Sequence, residues 1–131
     1  MIEKKFTENS IPEIGIYDRN GVVSGLNNFY SDALRNGIEL YHADRLEYIK
    51  DCKRIIINPP CIVFKDTWKR IGEYINKNPS QEIFFFAPDN TPEEIEQFIG
   101  KPKNVKYLTL KTKEDIKVNW DLVYSLIGGR D

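Results

Sequence analysis

The sequence predicts one α/β domain, a parallel five-stranded sheet with helices on both faces. Three observations predict it. Short apolar runs alternate with helical patterns along the chain. The run Ile55-Ile56-Ile57 suits a strand buried on both faces, as in a parallel sheet. A length of 131 residues is one ordinary domain, long enough to bury a core.

The elements follow in order. "IPEIGIY" (11–17) reads as strand one. In "GLNNFYSDALRNG", Leu26, Phe29, Tyr30, Ala33 and Leu34 recur at helical spacing, and Gly37 closes the helix as a C-cap. "IELYHA" (38–43) is strand two, "DRLEYIKD" a short helix, and "RIIIN" (54–58) strand three. Trp68, Ile71 and Ile75 form the apolar stripe of the next helix. "EIFFFAP" (82–88) is strand four. The clearest helix start comes next: Thr91 as N-cap, Pro92 in the first turn, Glu94 completing a capping box, and Gly100 as the stop. "VKYLTLK" (105–111) is strand five, and a last helix carries Ile116, Trp120, Val123 and Ile127. Right-handed crossovers leave few topologies. The expected one is a three-layer, flavodoxin-like (βα)5 fold with strand order 2-1-3-4-5. Residues 1–10 form an N-terminal extension, 11–127 the domain, and 128–131 a tail or the start of a linker.

Composition excludes several function classes. The formal net charge is −1, so the domain is not a strong nucleic-acid binder on its own. No apolar run approaches the roughly 18 residues of a membrane span. The start, "MIEKKFTENS", lacks the apolar core of a signal peptide, and a cytoplasmic location is expected. Cys52 and Cys61 make no disulfide framework, and with His42 they show no CxxC or HxxxH spacing, so no metal is expected.

In such a sheet ligands sit beyond the carboxyl ends of the strands. That edge carries Tyr17-Asp18-Arg19, His42, Asn58-Pro59-Pro60-Cys61, Ala87-Pro88-Asp89-Asn90 and Lys111. The loop "DRNGVVSG" has neither GxGxxG nor GxxxxGK[ST], and Asp18 would repel a phosphate, so no nucleotide cofactor is expected there. Gly21 and Gly25 then serve turn geometry. A Cys61–His42 dyad would need direct contact and an orienting third group, and a lone cysteine beside an apolar strand is more often a small core residue. "NPPC" resembles the Asn-Pro-Pro-aromatic loop of amino-group methyltransferases, with Cys61 in place of the aromatic. That gives a small enzyme using S-adenosylmethionine or a nucleotide as one alternative function.

Taken together, the same residues resemble the receiver domain of two-component response regulators, and within it the LuxR/NarL-type transcription regulators. "IGIYDRNGVVSGLNNFYSDALRNGIELYHA" is similar to their acidic-pair strand, following helix and second strand. "RIIIN" resembles the phosphoacceptor strand, and "KYLTLKTKEDIKVNWDLVYSLIGG" the Tyr-Leu-Leu-Lys strand, acidic linker and final helix. The resemblance implies a phosphorylation pocket whose positions are here Tyr17, Asp18, Asn58, Ala87 and Lys111. Only one of the two magnesium-holding acids is kept, as Asp18. Asn58 stands at the phosphorylated aspartate and Ala87 at the Ser/Thr that answers phosphorylation, while the lysine is kept as Lys111. An amide cannot form the mixed anhydride that a carboxylate forms, and it brings no charge to a hard cation. It also removes the repulsion between unliganded carboxylates. Lys111 is expected to donate to Asn58 or to pair with Asp18.

The resemblance thus implies a non-catalytic pseudo-receiver that controls assembly without aspartyl phosphorylation. It would pair with itself or with another LuxR-type regulator. It would meet DNA only through a C-terminal helix-turn-helix domain, of which this sequence shows no pattern, and no membrane. A stand-alone interaction adaptor is the other alternative. Tyr74, Tyr107 and Tyr124 are candidate contact anchors, each of which could equally be half-buried packing. Tyr107 begins the strand-five motif, where receiver residues often report the state of the pocket.

Overall fold

The computed structural model describes residues 14–18, 35–37, 40–43, 45–60 and 62–127. The expected helix over 26–34, the residues Arg19, Gly21, Gly25 and Cys61, both termini, and the side chains of Asp18 and His42 lie outside the described residues.

The strands are β1 (Ile14–Asp18), β2 (Leu40–Ala43), β3 (Arg54–Asn58), β4 (Glu82–Phe85) and β5 (Val105–Tyr107). They form one sheet in the order β2-β1-β3-β4-β5, with every neighbouring pair parallel. The α/β fold and the strand order are those the sequence predicts. In the register of β1 on β3, Ile14 lies beside Arg54 and Asp18 beside Asn58.

Alternation along the strands builds two apolar layers. Ile55, Ile57, Ile83, Phe85 and Tyr17 point to one face, which α1 (Lys65–Lys77), α2 (Pro92–Ile99) and a 3-10 helix at Leu46–Ile49 cover. Ile14, Ile16, Ile56 and Phe84 point to the other, where Val123 and Leu126 of α3 (Trp120–Ile127) meet them. The three isoleucines of β3 are each 0% exposed, so this central strand is buried on both faces.

Local chemistry sets the helix ends. The Thr91 hydroxyl accepts from the Glu94 N–H at 3.2 Å, and the Glu94 carboxylate accepts from the Thr91 N–H at 2.9 Å. Gly100 stops α2 at φ 73°, a backbone conformation that favours glycine. Gly37 also sits at φ 73°, and the helix it is expected to cap lies outside the described residues. The segment "DRLEYIKD" makes only the single 3-10 turn.

Two expectations fail near the C-terminal end. Strand five does not run unbroken over 105–111. It leaves the parallel sheet after Tyr107 and continues as β6 (Thr109–Lys111), which pairs antiparallel with β7 (Ile116–Val118). Ile116 is therefore a strand residue, 47% exposed, and not part of the last helix. The cause is a turn closed by Thr112. Its N–H donates to the Asp115 carbonyl at 2.8 Å, and its hydroxyl accepts from the Glu114 and Asp115 N–H groups at 3.3 and 3.0 Å. Asn119 then starts α3 one turn later than expected, its amide oxygen accepting from the Leu122 N–H at 3.2 Å.

Gly15 shows how tightly β1 lies against the 49–52 segment. A Cβ there would stand 2.7 Å from Ile49 Cβ and 3.1 Å from Cys52 Sγ. Gly15→Ala is expected to cost about 1–3 kcal/mol through overpacking. A urea midpoint unchanged from wild type would show that the segment yields.

Candidate functional site

The candidate site is the carboxyl edge of the sheet, built from the ends of β1, β3 and β4 and the hairpin that prolongs β5. The structure brings positions 18 and 58 side by side through the β1–β3 register. Asn58 ends β3 half-buried, and among the described residues no side chain hydrogen-bonds its amide. Pro59 and Pro60 follow directly, and neither has an N–H with which to extend the ladder.

The other expected members are placed differently. Tyr17 is 5% exposed and belongs to the core under α1. Ala87 is 1% exposed in the same core. Lys111 lies on β6, outside the parallel sheet, and its Nζ donates to the Asp89 carbonyl at 3.3 Å. Lys111 thus bonds the loop after β4 and not Asn58, while the other expected partner, the Asp18 carboxylate, lies outside the described residues. The hairpin turn carries the lysine there, because β6 departs from the sheet one residue after β5.

A hydroxyl does stand at this edge, supplied by Thr109. It is 2% exposed, and its Oγ1 accepts from the Ala87 N–H at 2.6 Å. Sequence reasoning misses it, because 109 reads as one more position of a regular strand. The signal was a threonine between Leu108 and Leu110, on a strand end that must satisfy the N–H of a neighbour leaving its ladder.

None of the three expected anchors stands free. Tyr74 packs against the core and donates its hydroxyl to Gln81 Oε1 at 2.5 Å. Tyr107 stacks on Phe85 with centroids 5.9 Å apart, and Tyr124 on Trp120 at the same separation. Among the described residues the exposed large apolar side chains are Tyr48, Val63, Phe64, Leu110, Ile116 and Trp120. Burial pushes the Tyr107 phenol up to about 12, with Glu96 and Glu93 adding to it. Burial likewise pushes Tyr74 up to about 12, partly offset by its bond to Gln81. Among the described residues, no group of three His, Cys, Asp or Glu side chains could hold a metal ion. No helix among them is long and apolar enough to cross a membrane.

The chain matches no protein-family model and no curated protein. Among solved structures it is similar to the crystal structure of lactate dehydrogenase from Eimeria maxima with NADH and oxamate. The identity is 16% and the TM-score 0.45, over 78% of this chain and 44% of that one. This chain therefore spans under half the length of that dehydrogenase.

Two outcomes are expected. Thr109→Val leaves the Ala87 N–H buried without an acceptor and costs about 1–3 kcal/mol, read as a lower urea midpoint; an unchanged midpoint would mean that water replaces the hydroxyl. Tyr74 and Tyr107 have folded pKa values above the unfolded value of about 10, so the unfolded chain loses these protons first. Their contribution is fully present below pH 10 and is lost as pH rises toward 12. The urea midpoint should fall across that window, and fall less in Tyr107→Phe.

Proposed function

We propose that this chain is a receiver-like regulatory module that has no aspartyl phosphorylation chemistry and acts through protein assembly. The observation that carries the reading is the pairing of positions 18 and 58 at the carboxyl edge of a 2-1-3-4-5 sheet, with an amide on the central strand. A carboxylate at 58 would attack a phosphoryl donor; the Asn58 amide is too weak a nucleophile. The buried Tyr17 adds no charge for magnesium, which needs several oxygen ligands with carboxylates among them. Ala87 has no hydroxyl to follow a phosphoryl group, and the Thr109 hydroxyl beside it already accepts from the backbone.

On this reading the module takes a single resting state, and its partner is a second copy or another LuxR-type regulator. Any DNA contact belongs to an attached helix-turn-helix domain.

Incubation with acetyl phosphate and magnesium, followed by intact mass measurement, tests the reading. The expected outcome is an unmodified mass and a sedimentation profile that acetyl phosphate leaves unchanged. A stoichiometric phosphoryl adduct would overturn it.

A further inference from the structure

A cavity lies on the face of the sheet that α1 covers. It is a cleft of about 550 Å³ between the turn at Arg45–Glu47 and one flank of α1. That volume is in the range of small-molecule sites, roughly 300–1,000 Å³. It opens beside Tyr17, at the carboxyl end of β1, where ligands of open α/β sheets collect. Tyr17, Leu46, Ile71 and Tyr74 supply its apolar lining, with the buried Thr67 as a polar member.

Charge is distributed unevenly around it. Arg45, Arg70 and Lys77 line the cleft against two carboxylates, Glu47 and Glu73. Arg45 meets Glu47 only at 3.9 Å, in an exposed pair of little strength. Arg70 and Glu73, and Glu73 and Lys77, stand at helical spacings that often close into surface pairs. Among the described residues neither does, and the Arg70 guanidinium is left without a carboxylate. Thr67 and Arg70 belong to the first two turns of α1, the end where the helix dipole favours negative charge. Lys77 ends the helix, at the opposite pole.

We infer that this cleft is a binding site for a small organic anion, a carboxylate or phosphate ester on a flat apolar group. The anionic end lies toward Arg45, Arg70 and Thr67. A guanidinium presents paired donors that match either oxyanion. The apolar body lies along the half-buried Leu46 and Tyr74, with the fully buried Ile71 beneath them and the Tyr74 hydroxyl already engaged by Gln81. Glu73 sets a limit on the negative charge that the site accepts. The inference shares only Tyr17 with the receiver-like reading, and uses it there as apolar lining, so its anion contacts at Arg45 and Arg70 stand apart from positions 18, 58, 87 and 111.

The probes are benzoate and phenyl phosphate, with benzamide as the uncharged counterpart and inorganic phosphate as the anion without an apolar body. Binding is read by thermal shift and by saturable chemical-shift changes. Both aromatic anions are expected to bind at millimolar concentration or below, and benzamide and inorganic phosphate at least about tenfold more weakly. Arg70→Gln and Arg45→Gln should each weaken the aromatic anions about tenfold, and Glu73→Gln should strengthen them. All three positions are exposed, and an unchanged melting temperature without ligand confirms each fold. Equal binding of benzoate and benzamide would overturn the proposal. So would affinity that Arg70→Gln leaves intact, or the failure of both aromatic anions to saturate at millimolar concentration.

Discussion

The orientation of the helical layer depends on the packing of Trp68. Its ring is fully buried between Phe85 of β4 and Phe98 of α2, with centroids 6.3 and 5.4 Å away. Phe85 passes the stacking on to Tyr107 of β5. Four rings in series therefore join two helices to two strands, and each such pair adds about 0.5–1.5 kcal/mol beyond its buried area. Gly72, one turn along, lets α2 come close: a Cβ there would stand 3.1 Å from the Phe98 carbonyl oxygen. With Trp68 and Gly72 committed to α2, α1 cannot rotate. Its opposite flank, with Arg70 and Tyr74, must then face the turn at 45–47, and the cleft is the space left between them.

The two ends of the sheet are held by different means. At the amino end a single buried side chain gathers three loop carbonyls. Gln81 Nε2 donates to Cys52 O at 2.7 Å, Ile49 O at 3.1 Å and Lys50 O at 3.4 Å. Arg54 and Glu82, neighbours in the β3–β4 register, add an ion pair at 2.9 Å. Among the described residues the carboxyl end has less side-chain stitching, chiefly the Thr109 hydroxyl under Ala87 and Lys111 on the Asp89 carbonyl. A scaffold tied at one end and looser at the other leaves the looser loops to carry binding. The edge at Asn58 lies at that end, and the cleft runs from it along α1 toward the Gln81 end.

The parts of the fold that could be read from sequence are those whose signals are local. The capping box at Thr91–Glu94 and the stripe Trp68–Ile71–Ile75 need only residues three or four apart, and the structure carries both. The isoleucines of β3 announce burial on two faces by composition alone. The hairpin was not legible, because its cause is one hydroxyl. "TLKTKEDIKV" has no Asn-Gly or Asp-Gly dipeptide at its turn, and its charges read equally well as a linker and a helix start. Lys111 was misplaced for the same reason: its destination follows from the turn at Thr112. The cleft was invisible because it joins residues from β1, the 45–47 turn and α1, which only the packing around Trp68 brings together.

Strand alternation also separates the two candidate sites. Tyr17 and Ala87 share the parity of Gly15, Phe85 and Ile57 and belong to the layer beneath α1 and α2. Asn58 has the parity of Ile56, which belongs to the layer beneath α3. Asn58 therefore stands on one side of the sheet edge, while Tyr17 lines the cleft on the other. One residue of β1 divides the edge at Asn58 from the cleft lined by Arg45 and Arg70. A charge change at Asn58 would act on the cleft only through the backbone of β1, whose position is fixed by five register pairs with β3 and by the close approach of Gly15 to Ile49. A displacement of β1 large enough to couple them would have to break that contact, so the rigidity that defines each site also keeps them independent.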